Sequence, residues 1–159
     1  MSSGIDSETF RQVCAQFATG VAIAAVRSPD GAPHGLTVNS FTSVSLNPPL
    51  ILICIGDLCQ ILPYFGLSHF FSVNFLTPEQ QPLATAFAVR TDNRFDGIDW
   101  YQAPNGSPLV PGALGWMECR LEQAIEAGDH TILIGEVVAA GAREGAALVY
   151  FNRSYSRLE

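Results

Sequence analysis

Two of the longest apolar runs in this chain, Val21–Val26 and Leu50–Ile55, are six residues each and are bounded by Gly20 and Arg27 and by Pro49 and Gly56. Six residues match a β-strand of about 20 Å and fall far short of the ~20 residues of a membrane helix. Yet apolar residues occupy 48% of the 159 positions and charged residues only 14%. A chain this apolar, cut into strand-length pieces, must stack many short strands and cover the remaining surface with a partner or a ligand. Its length suits one domain over residues 1–159, and its apolar surplus points to an oligomer.

The punctuation agrees. Ser28-Pro-Asp-Gly31 is a turn in which Pro presets φ and Gly accepts a positive one, so Val21–Arg27 and the stretch near Leu36–Val38 read as a hairpin. Asn47-Pro-Pro49 separates strand candidates Phe41–Ser45 and Leu50–Ile55, and Phe70–Leu76 is another. From Leu114 the pattern gives Cys119–Ile125, a turn at Glu126–Asp129, then His130–Ala139 and a last strand near Ala146–Phe151. Helices are expected at 6–19, where Phe10, Val13, Cys14, Phe17 and Ala18 share a face, and from Thr77 towards Phe87, with Pro82 delaying the regular part. Residues 91–113 read as a long excursion. The sum is a mainly β, antiparallel barrel with peripheral helices. Neither the βα rhythm nor the G-x-G-x-x-G signature of a dinucleotide fold is present.

Charge and residue types narrow the function. The net charge is −7 and no basic run exists, which argues against nucleic acid and anionic membranes as partners. All eight cations are arginines, so Schiff-base chemistry and a P-loop lysine are excluded. Cys14, Cys54, Cys59 and Cys119 contain no C-x-x-C pair, and with three scattered histidines they make no metal set. Reduced thiols and no leader or membrane span give a cytoplasmic expectation.

The chemistry concentrates in Leu36-Thr-Val-Asn-Ser-Phe-Thr-Ser-Val-Ser45, where five hydroxyls and an amide fall within nine residues, Thr37 to Ser45. Such a segment among apolar strands must satisfy its polar groups. A ribityl chain, a phosphate and a flavin edge would use that many; a Ser/Thr-rich edge strand would show the same composition.

Together with FRQVCAQFATG (Phe10–Gly20), TVNSFTSVSLNPPL (Thr37–Leu50), FSVNFL (Phe71–Leu76), EQQPLATAF (Glu79–Phe87), Arg94-Phe95 with Gly97 and Trp100, Gly128-Asp-His130, Gly135-Glu-Val137 and the Tyr150/Tyr155 tail, the segment resembles the flavin reductase-like, FMN-binding split-barrel family. This group includes the reductase components of two-component flavin monooxygenases. The resemblance runs in order along nearly the whole chain.

The resemblance implies an antiparallel split β-barrel acting as a homodimer, with FMN or FAD near the dimer interface and NADH or NADPH as hydride donor. It implies that Thr37, Val38, Asn39, Ser40, Ser43, Val44 and Ser45 line the isoalloxazine and ribityl groups. Cys54, at the end of the next strand, and Gln60, a few residues beyond it, would lie towards the phosphate, Arg94 would complete that pocket, and His130 and Tyr155 would face the nicotinamide. Arg90 is a second candidate cation, or else only covers a helix end. Hydride passes directly between the two cofactors, so no catalytic nucleophile and no metal is expected. Reduced flavin would go to a partner monooxygenase. A flavin-binding electron carrier and a non-catalytic flavin-binding protein are the alternatives.

One stretch departs from the family. In Gly56-Asp-Leu-Cys-Gln-Ile61, Leu58 and Ile61 cannot donate side-chain hydrogen bonds and Asp57 would repel a phosphate, which leaves Gln60 and backbone N–H groups. That suits a flavin taken as substrate and released.

Overall fold

The computed structural model describes residues 4–89 and 94–159. Its larger sheet has seven strands: β2 (Ala22–Arg27), β3 (Pro33–Val38), β4 (Thr42–Leu46), β5 (Pro49–Gly56), β6 (Phe70–Phe75), β9 (Gly115–Ala127) and β10 (His130–Ala142). They run in the order β3-β2-β6-β9-β10-β5-β4. A three-stranded sheet joins β1 (Thr19–Gly20), β11 (Ala147–Phe151) and β12 (Ser154–Leu158), and a ribbon joins β7 (Tyr101–Gln102) to β8 (Pro108–Leu109). Every pairing is antiparallel, and the fold is the expected split β-barrel with helices outside it.

The two apolar runs have different reasons. β2 is buried on both faces: Ala22, Ala24 and Val26 point into the barrel with Ile53, Phe65 and Phe71, while Ile23 and Ala25 pack outward against Leu76, Phe87 and Leu148. A strand between two cores has no polar face, so its sequence cannot alternate. β5 alternates instead. Ile51, Ile53 and Ile55 are buried, and Leu50, Leu52 and Cys54 stay half-exposed on the outer face.

Interior packing is tight where β9 and β10 cross β6. A Cβ on Gly135 would lie 2.8 Å from both Cys119 Cβ and Phe71 Cζ, so only glycine fits there. Burial pushes the Cys119 thiol up to about 12, with Glu118 beside it adding to the shift. The folded thiol therefore stays protonated where the unfolded one, near 9, has ionised, and its contribution to stability is lost as pH rises from about 9 to 12. Thermal midpoints measured across that window should fall more steeply in the native sequence than in Cys119→Ala. Below it, a maleimide should label the exposed Cys14 and leave Cys119 unmodified.

Several elements differ from the sequence reading. The first helix, α1, is only Ser7–Cys14, capped by the Asp6 carboxylate on Thr9 N–H. None of its residues is buried; Phe10, Val13 and the following Phe17 face outward instead of into the core. A second helix, α2 (Leu62–Ser68), was not anticipated, since Pro63 and Gly66 give it low propensity; burial of Phe65 holds it in place. Pro82 acts as expected: a 3-10 turn at Pro78–Gln80 precedes the regular helix α3 (Gln81–Ala88). Residues 154–158 are no free tail but strand β12, paired with β11 from Phe151↔Ser154 to Ala147↔Leu158.

Candidate functional site

Where β3, β5 and α3 converge, a cavity of about 310 Å³ opens, lined by Thr37, Gly56, Cys59, Gln60, Phe87 and Arg94, with Leu36, Leu58, Ile61 and Ala88 completing it. Arg94 is its cation. Its Nε donates to the Val89 carbonyl at 2.8 Å and Nη1 to the Gly35 carbonyl at 2.6 Å, which aims the guanidinium and leaves its other N–H groups for a ligand. Partial burial lowers the Arg94 pKa from its ordinary value, the Cys59 thiol opposing. A cation held in a half-dry cavity is matched to an anion, and a phosphate fits that requirement. Arg90 lies outside the described residues.

The loop 57–61 forms the opposite wall, and Asp57 behaves differently from the sequence reading. It is the one residue of Gly56–Ile61 that does not line the cavity. Its Oδ1 accepts from Thr131 Oγ1 at 2.8 Å, on β10.

The polar segment divides among several tasks. Thr37 reaches the cavity, and its hydroxyl donates to the Ala84 carbonyl of α3 at 2.6 Å. Val38 is buried in the barrel core. Ser40 Oγ accepts from Cys54 N–H at 3.0 Å and donates to the Cys54 carbonyl at 2.9 Å, standing in for a backbone ladder pair before β4 begins. Ser43, Val44 and Ser45 lie on the edge strand β4, with a bulge between Ser43 and Ser45 that turns Val44 outward.

Asn39 lines a second, smaller cavity of about 230 Å³ with Phe17, Thr19, Phe41 and Phe75. The Thr19 hydroxyl is buried without a partner among the described residues. Thr19 and Cys59 were missed as candidate site residues; the family-like stretch Phe10–Gly20 was an available signal for Thr19, and none marked Cys59.

His130 pairs across the ladder with Gly56, and its Nε2 lies 3.8 Å from where a Gly56 Cβ would be. The imidazole thus sits beside the cavity rim. Its Nδ1 is 2.7 Å from Asp129 Oδ1, a bond that lowers the Asp129 pKa. Tyr155 is elsewhere: its ring packs 5.3 Å from Tyr150 against the outer core with Trp100, and burial raises its pKa, Tyr150 adding to the rise. The described residues hold no cluster of His, Cys, Asp and Glu fit for a metal.

An antiparallel split barrel with an arginine-bearing cavity at its rim is the fold of flavin reductases of known structure. Residues 14–159 match the flavin reductase like domain, and the chain belongs to that family of oxidoreductases. It is 39% identical over 154 residues to the NADH-dependent FMN reductase SmoA of Agrobacterium fabrum, covering 97% of this chain and 87% of that one. To the flavin-dependent monooxygenase reductase subunit HsaB of Rhodococcus jostii it is 36% identical, covering 99% and 81%. The solved NADH:FAD oxidoreductase SgcE6 of Streptomyces globisporus, crystallised with NAD and FAD fragments, superposes with a TM-score of 0.88 at 34% identity, covering 99% and 98%.

Proposed function

We propose that this chain is a single-domain reductase that passes hydride from NADH or NADPH to free FMN or FAD and supplies the reduced flavin to a partner monooxygenase. The observation that carries this reading is the cavity shared by Arg94 and loop 57–61, with His130 at its Gly56 rim. The bound flavin would supply the redox chemistry; the chain's own groups bind and orient.

Arg94 meets the flavin phosphate, with Thr37 and Gln60 beside it. Backbone groups of Val38 and Asn39, and the segment Ser40 to Ser45 fixed on Cys54, border the ring and ribityl chain. His130 orients the nicotinamide. Tyr155, packed on Tyr150 and the outer core and not among the residues lining the Arg94 cavity, is left out of this role. Among the described residues one cation and few side-chain donors line the cavity, which supports a flavin that exchanges as a substrate.

The apolar surface supports a homodimer. Phe10 (58% exposed), Phe17 (78%) and Leu46 (92%) lie on α1, its exit and β4, and water-exposed groups of this size need a cover. Light scattering at micromolar concentration should give about twice 17.1 kDa; a monomer that still binds flavin would overturn the dimer. With four free thiols, we place the enzyme in a reducing cytoplasm. Among the described residues no helix is long and apolar enough to cross a membrane.

The test is nicotinamide consumption with each flavin and each donor. A rate no faster than the protein-free control would sink the reading. In the same assay His130→Ala should lower kcat/KM for the nicotinamide about tenfold, the worth of one well-placed contact, with flavin Kd within about twofold of native. A collapse of flavin affinity instead would move His130 into the flavin site.

A further inference from the structure

We infer that Asp57 and Thr131 form a positioning pair that holds the phosphate-side loop and the His130 turn as one unit. Both substrates' affinities then depend on side chains that touch neither substrate. The inference rests on the functional reading above, in which Arg94 faces phosphate and His130 faces nicotinamide.

The β5–β10 ladder closes at Gly56↔His130. One residue further, the Asp57 N–H donates to the Asp129 carbonyl at 3.0 Å, and its carboxylate accepts from Thr131 Oγ1 at 2.8 Å. These two bonds straddle His130, one from the residue before it and one from the residue after. On the other side they fix the direction in which the chain leaves β5. From there Leu58, Cys59, Gln60 and Ile61 line the Arg94 cavity, and Cys59 N–H turns back to the Gly56 carbonyl at 2.9 Å. Gly56 itself offers no side chain, so the imidazole lies directly over the strand end from which the loop departs. Loop and imidazole therefore share one anchor, and displacing either moves the other.

This explains an aspartate beside a phosphate site. What the position requires is an acceptor for Thr131 and an N–H for Asp129; a negative charge is incidental, because the carboxylate points to β10 and away from the cavity lining. Asparagine supplies the same acceptor without the charge, and valine in place of Thr131 removes the donor at nearly equal volume.

The experiment measures FMN Kd by fluorescence quenching without nicotinamide, and nicotinamide KM and kcat at saturating flavin. The variants are Asp57→Asn, Asp57→Ala, Thr131→Val and the Asp57→Ala/Thr131→Val double. Asp57→Ala and Thr131→Val should each raise both FMN Kd and nicotinamide KM about three- to tenfold, the worth of one hydrogen bond. The double variant should be no worse than the weaker single, and Asp57→Asn should stay within about twofold of native with kcat unchanged.

If both Asp57→Asn and Asp57→Ala tighten FMN, the residue acts by charge repulsion and the inference is wrong. If Asp57→Ala leaves both constants unchanged, the pair positions nothing. An unchanged nicotinamide kcat/KM in His130→Ala would remove the His130 role beneath the inference, and that result is separable because the FMN arm is read without nicotinamide.

Discussion

Arg94→Ala is expected to weaken FMN binding about ten- to a hundredfold while leaving riboflavin almost untouched. A charge-assisted hydrogen bond to phosphate is worth about 1.5–3 kcal/mol, which sets that range. Among the described residues no other cation lines the cavity, and the chain has no lysine to take its place. The guanidinium is also pre-aimed: the carbonyls of Val89 and Gly35 hold two of its N–H groups, so little freedom is lost when the anion arrives. FAD, with a pyrophosphate at the same place, should lose affinity in the same direction. Those carbonyl bonds also make Arg94 part of the packing between β3 and the end of α3. Arg94→Lys separates the two roles, since lysine keeps the charge but cannot fork to both carbonyls and a phosphate; an intermediate loss for FMN is the expected result. Fluorescence titration with FMN and riboflavin decides it. Equal losses for both flavins would show that the arginine acts through folding.

How far the sequence could be read depended on where each residue's partner lay along the chain. β2 and β5 were plain from their apolar runs, and Pro82 from its place at a helix start, because those signals are local. The hydroxyls of Thr37–Ser45 were visible as a group, but their partners were not. Thr37 bonds a carbonyl 47 positions away and Ser40 one 14 positions away, and alternation along a strand sends neighbours to different sides. Thus Thr37 faces the larger cavity, Asn39 the smaller one and Val38 the core. The charge of Asp57 suggested repulsion until its bond to Thr131, 74 residues on, fixed its direction. The polar composition of Ser154–Leu158 hid a strand held by pairing with β11 and by the packing of Tyr155 on the outer core. α1 carried a clear helical period, but periodicity states which face is apolar and not what covers it. That face is bare in the protomer.

Glu118→Ala should destabilise the protein by about 3 kcal/mol, which lowers the thermal midpoint by about 6–12 °C for a chain of this size. Glu118 is wholly buried on β9. One carboxylate oxygen accepts from Asn105 N–H at 2.8 Å and from Asn105 Nδ2 at 2.9 Å, and the other accepts from Ser107 N–H at 3.0 Å. Two strand neighbours complete the clamp on the excursion. Asn74 Oδ1 accepts from Val110 N–H at 3.0 Å, and the buried Ser72 hydroxyl donates to the Pro108 carbonyl. Alanine would leave three donors facing an apolar wall, and each unpaired buried donor costs about 1–3 kcal/mol where water cannot replace the acceptor. Asn105 lies at the surface, so water relieves part of that sum, which is why the expectation sits near the low end. Glu118→Gln keeps one acceptor oxygen and should cost roughly half as much. Because residues 103–110 do not line the Arg94 cavity, flavin Kd in the folded variant should match native, while protease cleavage between 103 and 107 should speed up. A loss below about 1 kcal/mol would mean that water substitutes fully for the carboxylate, and that the ribbon is held by Asn74 and Ser72 alone.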